Sequence, residues 1–115
     1  MSFTAFLLCA LLGADLSGVW VLEEELPAGP RRSRLELQQK GDKLRGALVD
    51  DGPLGGVSRI EGGVKGARVR FDAVAEVDGI QLVRIYEAQL GDDGALRGTG
   101  RARGMNRWKF TARRE

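Results

Sequence analysis

Asp15-Leu16-Ser17-Gly18-Val19-Trp20 ends a short apolar leader and starts the first run of β-type sequence, so its reading decides what the rest of the chain must be. From 17 to 25 the run Ser-Gly-Val-Trp-Val-Leu-Glu-Glu-Glu contains β-branched and aromatic residues and ends in acid, which fits a strand better than a helix. Pro27 and Pro30, with Gly29 between them, break that strand. Residues 33–39 then alternate, Leu35 and Leu37 on one face and Arg34, Glu36 and Gln38 on the other, as a half-buried strand does. Lys40-Gly41-Asp42-Lys43 is a tight reversal, and 44–49 returns as its hairpin partner.

The same grammar continues to the C-terminus. Residues 50–55, with two acids, Gly and Pro53, read as an exposed connection. A short strand is expected over 57–60, followed by a turn around Val64-Lys65 bracketed by Gly62, Gly63 and Gly66. Residues 67–73 alternate with Val69, Phe71 and Ala73 inward, and Asp78-Gly79 turns the chain. In 80–90 the apolar positions do not hold one parity: Ile80 and Leu82 go with Tyr86, Ala88 and Leu90, whereas Val83 and Ile85 go with the opposite face. A bulge near Arg84, or a strand covered on both sides, is expected there. Gly91-Asp92-Asp93-Gly94 is another turn, 96–102 returns, and in 106–113 Trp108, Phe110 and Ala112 share one face against Lys109, Thr111 and Arg113. Leu35-x-Leu-x-x-Lys-Gly-Asp-Lys-Leu-Arg-Gly is echoed by Ala88-x-Leu-Gly-Asp-Asp-Gly-Ala-Leu-Arg-Gly, so the chain reads as a series of similar hairpins. About eight strands in series with short connections make a meander, and closing it into an up-and-down barrel removes its exposed edges. The expected fold is therefore an all-β antiparallel barrel occupying residues 15–115 as one domain.

Composition narrows the chemistry. A chain of 115 residues supports a single core, and 43% hydrophobic with 30% charged residues suits an ordinary globular domain. Seventeen glycines against three prolines fit many tight turns. There is no His, and the one cysteine, Cys9, lies in the leader. Most metal-ligand sets and the Ser-His and Cys-His nucleophile pairs are thereby removed, so neither a catalytic residue, a metal nor a cofactor is expected, and the function read here is not enzymatic. Glu23, Glu24 and Glu25 read as a solvated strand end rather than a carboxylate pair, because alternate members point to opposite faces. The glycines of 62–66 lack a following Lys-Ser/Thr and helix, so they do not form a phosphate cradle.

The leader itself, MSFTAFLLCALLGA, carries an apolar run ending in small Gly13 and Ala14, the layout of a secretory signal peptide spanning 1–14. The run is too short for a membrane span, so the mature chain is expected to be secreted or periplasmic, without a transmembrane segment and without a cysteine. No basic residue precedes the run, and a first core strand or helix is the alternative.

Gly18-x-Trp20 opening the first strand, an eight-strand meander and an Arg in the final strand resemble the calycin group of lipocalins, fatty-acid-binding proteins and avidins. Leu16-Ser-Gly-Val-Trp20 and Phe110-x-Ala-x-Arg are also similar to small bacterial secreted barrel domains that begin with Leu-x-Gly-x-Trp. The resemblance implies that the first-strand indole closes one end of the barrel beneath a C-terminal guanidinium, which by position falls on Gly18 and Trp20 with Arg113, or with Arg114 if the register slips. A small apolar ligand in the barrel mouth, lined by Trp20, Phe71, Tyr86 and Trp108, is one reading, with core packing as the alternative role for each. A barrel this short can also be filled by its own side chains, which makes a purely structural or interaction module the other reading. A biotin site is not expected, since the mature chain has one Asn, one Tyr and few hydroxyls.

The last 21 residues hold seven basic groups against Glu115. Arg97, Arg101, Arg103, Arg107, Lys109 and Arg114 are thus candidates for one anion-binding face that takes polymers or membrane headgroups, with Trp108 as a stacking partner if exposed. A net charge of only +2 argues against a specific nucleic-acid partner.

Overall fold

The computed structural model describes residues 15–50 and 56–115. The expected signal segment 1–14 with Cys9, and positions 51–55 of the first long connection, lie outside the described residues. Eight strands follow one another: β1 (Gly18–Leu26), β2 (Gly29–Lys40), β3 (Lys43–Asp50), β4 (Val57–Lys65), β5 (Arg68–Val77), β6 (Ile80–Leu90), β7 (Leu96–Ala102) and β8 (Trp108–Arg114). Each pairs antiparallel with its sequence neighbours, and β1 pairs with β8 to close the barrel. Among the described residues no helix is long and apolar enough to cross a membrane. The closed eight-strand meander is the fold the hairpin series predicts, and it is compatible with a calycin-like architecture.

Strict alternation sorts the side chains. Trp20, Leu22, Leu35, Leu37, Leu44, Leu48, Ile60, Val69, Phe71, Ala73, Tyr86, Leu96, Trp108, Phe110 and Ala112 fill the lumen, while Arg34, Glu36, Arg45, Arg59, Glu61, Arg70 and Glu87 face water. Burying each large apolar side chain contributes about 1.5–3 kcal/mol, and the pleat does this without further instruction once the register is set.

Three local expectations are corrected. β4 does not stop at residue 60 but runs to Lys65, with Gly62 and Gly63 inside the strand and the turn displaced to Gly66-Ala67. A Cβ on Gly62 would stand 2.1 Å from the Arg70 carbonyl oxygen, so this glycine marks a close approach of neighbouring strands rather than a reversal. β6 carries no bulge near Arg84. Its ladder with β5 runs unbroken from Arg68↔Gln89 to Val77↔Ile80. Nor is the strand covered on both sides: Val83 and Ile85 simply face outward, with Val83 exposed. Finally, Pro30 is not a breaker, since β2 begins at Gly29 and pairs Pro30 with Glu25 at its end.

The repeated Leu-Arg-Gly has a physical reason. A Cβ on Gly46 would meet the Glu36 carbonyl oxygen at 1.8 Å, and one on Gly98 would meet that of Glu87 at 1.8 Å. Both glycines let a strand coil tightly against the one before it, which bends the sheet toward closure. The Asp78-Gly79 reversal has φ of 51° and 79°, the paired positive values that a two-residue hairpin requires.

Candidate functional site

The two ends of the lumen are built differently. At the end where β1 starts, Trp20 is fully buried and its indole N–H donates to the Leu16 carbonyl at 2.9 Å. The segment before β1 is tied to the β2 end: the Leu16 N–H donates to Gln39 Oε1 at 2.9 Å, and the Gln39 N–H donates to Ser17 Oγ at 2.9 Å. The Arg114 guanidinium carbon lies 4.6 Å from the Trp20 ring centroid, and its nitrogens donate to the Ser17 carbonyl at 3.0 Å and to the Asp15 carbonyl. Hydrogen bonds from Ser17 hold the Asp15 carboxyl below its ordinary value. A Cβ on Gly18 would come within 3.2 Å of Arg114 Nη1, so Gly18 leaves the space the guanidinium uses.

The cation over the indole is Arg114, therefore, and not Arg113. Arg113 belongs to the outward parity of β8 and lies 3.8 Å from Asp93 Oδ2 on the surface. This end is sealed, and each donor named above meets an acceptor.

Toward the opposite end, where β1 finishes, polar groups enter the lumen. Glu24 is 2% exposed, on the same inward row as Trp20 and Leu22. Its Oε2 accepts from the Tyr86 hydroxyl at 2.9 Å and from the Trp108 indole N–H at 2.7 Å, so β1, β6 and β8 are joined through one oxygen. Its other oxygen, Oε1, is buried without a hydrogen-bond partner among the described residues. Burial first, and the Glu24 charge next, push the Tyr86 phenol well above its ordinary value. It stays a donor. Tyr86 also stacks on Phe71 at 5.0 Å between ring centroids and meets Trp108 and Phe110 edge-on at 6.2 and 5.3 Å. Gly100 makes the room, because a Cβ there would sit 2.6 Å from the Trp108 ring.

Around this cluster stand two further polar pairs. Ser33 Oγ donates to Asp50 Oδ1 at 2.8 Å, and Asp50 also pairs with Arg31. Arg84, half-buried and inward on β6, donates from Nη2 to Ser58 Oγ at 3.1 Å and has no carboxylate partner among the described residues. Beyond Arg84 the inner row of β6 continues with Leu82 and Ile80, 54% and 64% exposed, opposite Ala75 and Val77 of β5. The β4 ladder with β5 ends at Val74, and the β7 ladder with β6 ends at Arg84. The β5–β6 tip is thus a two-stranded hairpin standing clear of the barrel, with an uncovered apolar inner face.

Of the four aromatic residues read as ligand-facing, the structure brings Phe71, Tyr86 and Trp108 together below the open end and puts Trp20 in the opposite base. Of the six basic residues, Arg97 and Arg101 on β7 and Lys109 on β8 share the outward parity of neighbouring strands, whereas Arg114 falls on the inward row of β8. Arg97 is held by Asp93 at 2.6 Å, Arg114 by the plug, and Arg101 stands 3.7 Å from Glu87, leaving Arg103, Arg107 and Lys109 without an ion pair among the described residues. Trp108 is 5% exposed and its N–H is engaged, so it does not stack with an external base. Glu24 overturns the expectation of a wholly solvated acidic strand end. Glu23 and Glu25 are exposed, but Glu24 is core. Counting by twos from Trp20 through Leu22 would have found it. Among the described residues no three His, Cys, Asp or Glu side chains stand together to hold a metal. Comparison with protein-family models and with curated proteins gives no match for this sequence, and the closed antiparallel barrel is the level at which the fold is assigned.

Proposed function

We propose that this chain is an exported, non-enzymatic binding module whose barrel mouth takes a small, mainly apolar ligand. The observation that carries the reading is the inner face of the β5–β6 hairpin. Val77 on β5 and Ile80 and Leu82 on β6 stay exposed on the paired inward rows that lead down to Phe71 and Tyr86, whereas the inward apolar residues of the other strands are buried or partly buried. A ligand lying along that row covers the hairpin face and rests against the Phe71–Tyr86–Trp108 cluster, in the manner of apolar pockets with a few convergent polar groups. The apolar leader supports export, and the absence of His from the sequence supports binding over catalysis.

The test uses the two indoles as separate reporters. On titrating short-chain amphiphiles into the labelled protein, the indole N–H resonance of Trp108 is expected to shift while that of Trp20, at the sealed base, stays put. Leu82→Asp is expected to weaken binding at least about tenfold with little change in stability, since the side chain is exposed. Unchanged resonances across the panel, or equal shifts at both indoles, would defeat the proposal.

A further inference from the structure

We infer that the ligand's polar end is a hydrogen-bond donor, such as a hydroxyl or an amine, that docks on Glu24 Oε1, so the mouth selects against carboxylate-headed amphiphiles. This deepens the barrel-mouth reading and rests on it. A carboxylate oxygen enclosed in protein without a donor is costly, and a barrel selected only for packing would place a hydrocarbon on this row, as it does at Leu22. Glu24 has a structural duty through one oxygen alone. Tyr86 and Trp108 both converge on Oε2, which fixes the carboxylate plane and leaves Oε1 as an acceptor held in place before any ligand arrives. Both protein donors are already spent, so a ligand that only accepts finds nothing to engage beside Glu24 and meets its negative charge. A donating head completes the set.

The groups facing this position from the neighbouring strands sharpen the choice. Arg31, the register partner of Glu24 on β2, is paired with Asp50. Arg84, one inward position above Tyr86, is an inward-facing cation with no carboxylate partner among the described residues. It is the competing anchor, because a carboxylate head could stop at its guanidinium without descending to Glu24. Leu26 and Arg84, the next inward residues above Glu24 and Tyr86, are only partly buried and are the side chains a descending head would displace.

The deciding experiment compares decanol, decylamine and decanoate at pH 7 by calorimetry and by the Trp108 indole shift, on the wild type and on Glu24→Gln. Decanol and decylamine are expected to bind about tenfold or more tighter than decanoate, the size of one hydrogen bond to a charged group. The Glu24→Gln variant keeps an oxygen for Tyr86 and Trp108 but presents an NH2 where Oε1 stood, and is expected to shrink or reverse that preference. Equal affinities for the three heads, or a preference for decanoate, overturn the Glu24 anchor while leaving the mouth as the binding site. Binding of none overturns both. The wild-type ranking decides even if the variant does not fold.

Discussion

The sealed and open ends of the barrel share one pleat and one alternation, yet they spend their buried groups in opposite ways. At the sealed end the interior is hydrocarbon around a single indole, and polar contacts are confined to the rim, where Arg114, Gln39 and Ser17 tie the chain before β1 to the last strand and to β2. At the open end a carboxylate, a phenol, an indole and two serines are buried, while Val77, Ile80, Leu82 and Met105 are left in water. Stability alone would distribute these groups the other way round. Polar burial is offset only by complete hydrogen bonding, and here one oxygen is left over. The contrast is between an end closed by packing and a rim held by satisfied hydrogen bonds, and an end that buries polar groups while exposing apolar ones.

The largest expected effect breaks the sealed end. Trp20→Ala removes the fully buried plug and is expected to cost about 3–5 kcal/mol of unfolding free energy, read by urea denaturation. A loss under 1 kcal/mol would mean that the indole does not close the barrel. Next comes the open end, where Glu24→Ala leaves the Tyr86 hydroxyl and Trp108 N–H without their acceptor and is expected to cost about 2 kcal/mol. If that variant were instead more stable than the wild type, the Glu24 cluster would be a net burden even for folding, and the contrast between the ends would sharpen further. The smallest effect belongs to Arg114→Ala. Its guanidinium is solvent-exposed, so losing the contact over Trp20 is expected to cost about 1 kcal/mol or less, seen as a Tm shift of a few degrees. A loss matching that of Trp20→Ala would make the cation, not the indole, the true closure.

Much of this was legible before any coordinates. The turns at Gly41-Asp42, Asp78-Gly79 and Asp92-Asp93-Gly94 and the alternating rows between them specify a meander, because backbone sterics at positive φ and a side-chain period of two act locally. The parity of β8 even contains the choice of Arg114 over Arg113, since 108, 110, 112 and 114 fall on one row. Less legible were the glycines within strands. Gly62 reads as a turn residue in sequence, and only the approach of the Arg70 carbonyl shows it to be a packing residue.

The amino-acid order by itself determined the number of strands and their inward rows, which follow from interactions between residues close along the chain, whereas closure brings together the two ends of the chain, Trp20 beside Arg114. Tertiary structure alone decided that Tyr86 and Trp108 reach the same oxygen of Glu24, across 62 and 84 positions of sequence, and that the β5–β6 tip outruns its neighbours. Those outcomes depend on how far each strand is staggered around the barrel. Stagger is a property of the closed sheet, set by all eight ladders together and written in no single segment.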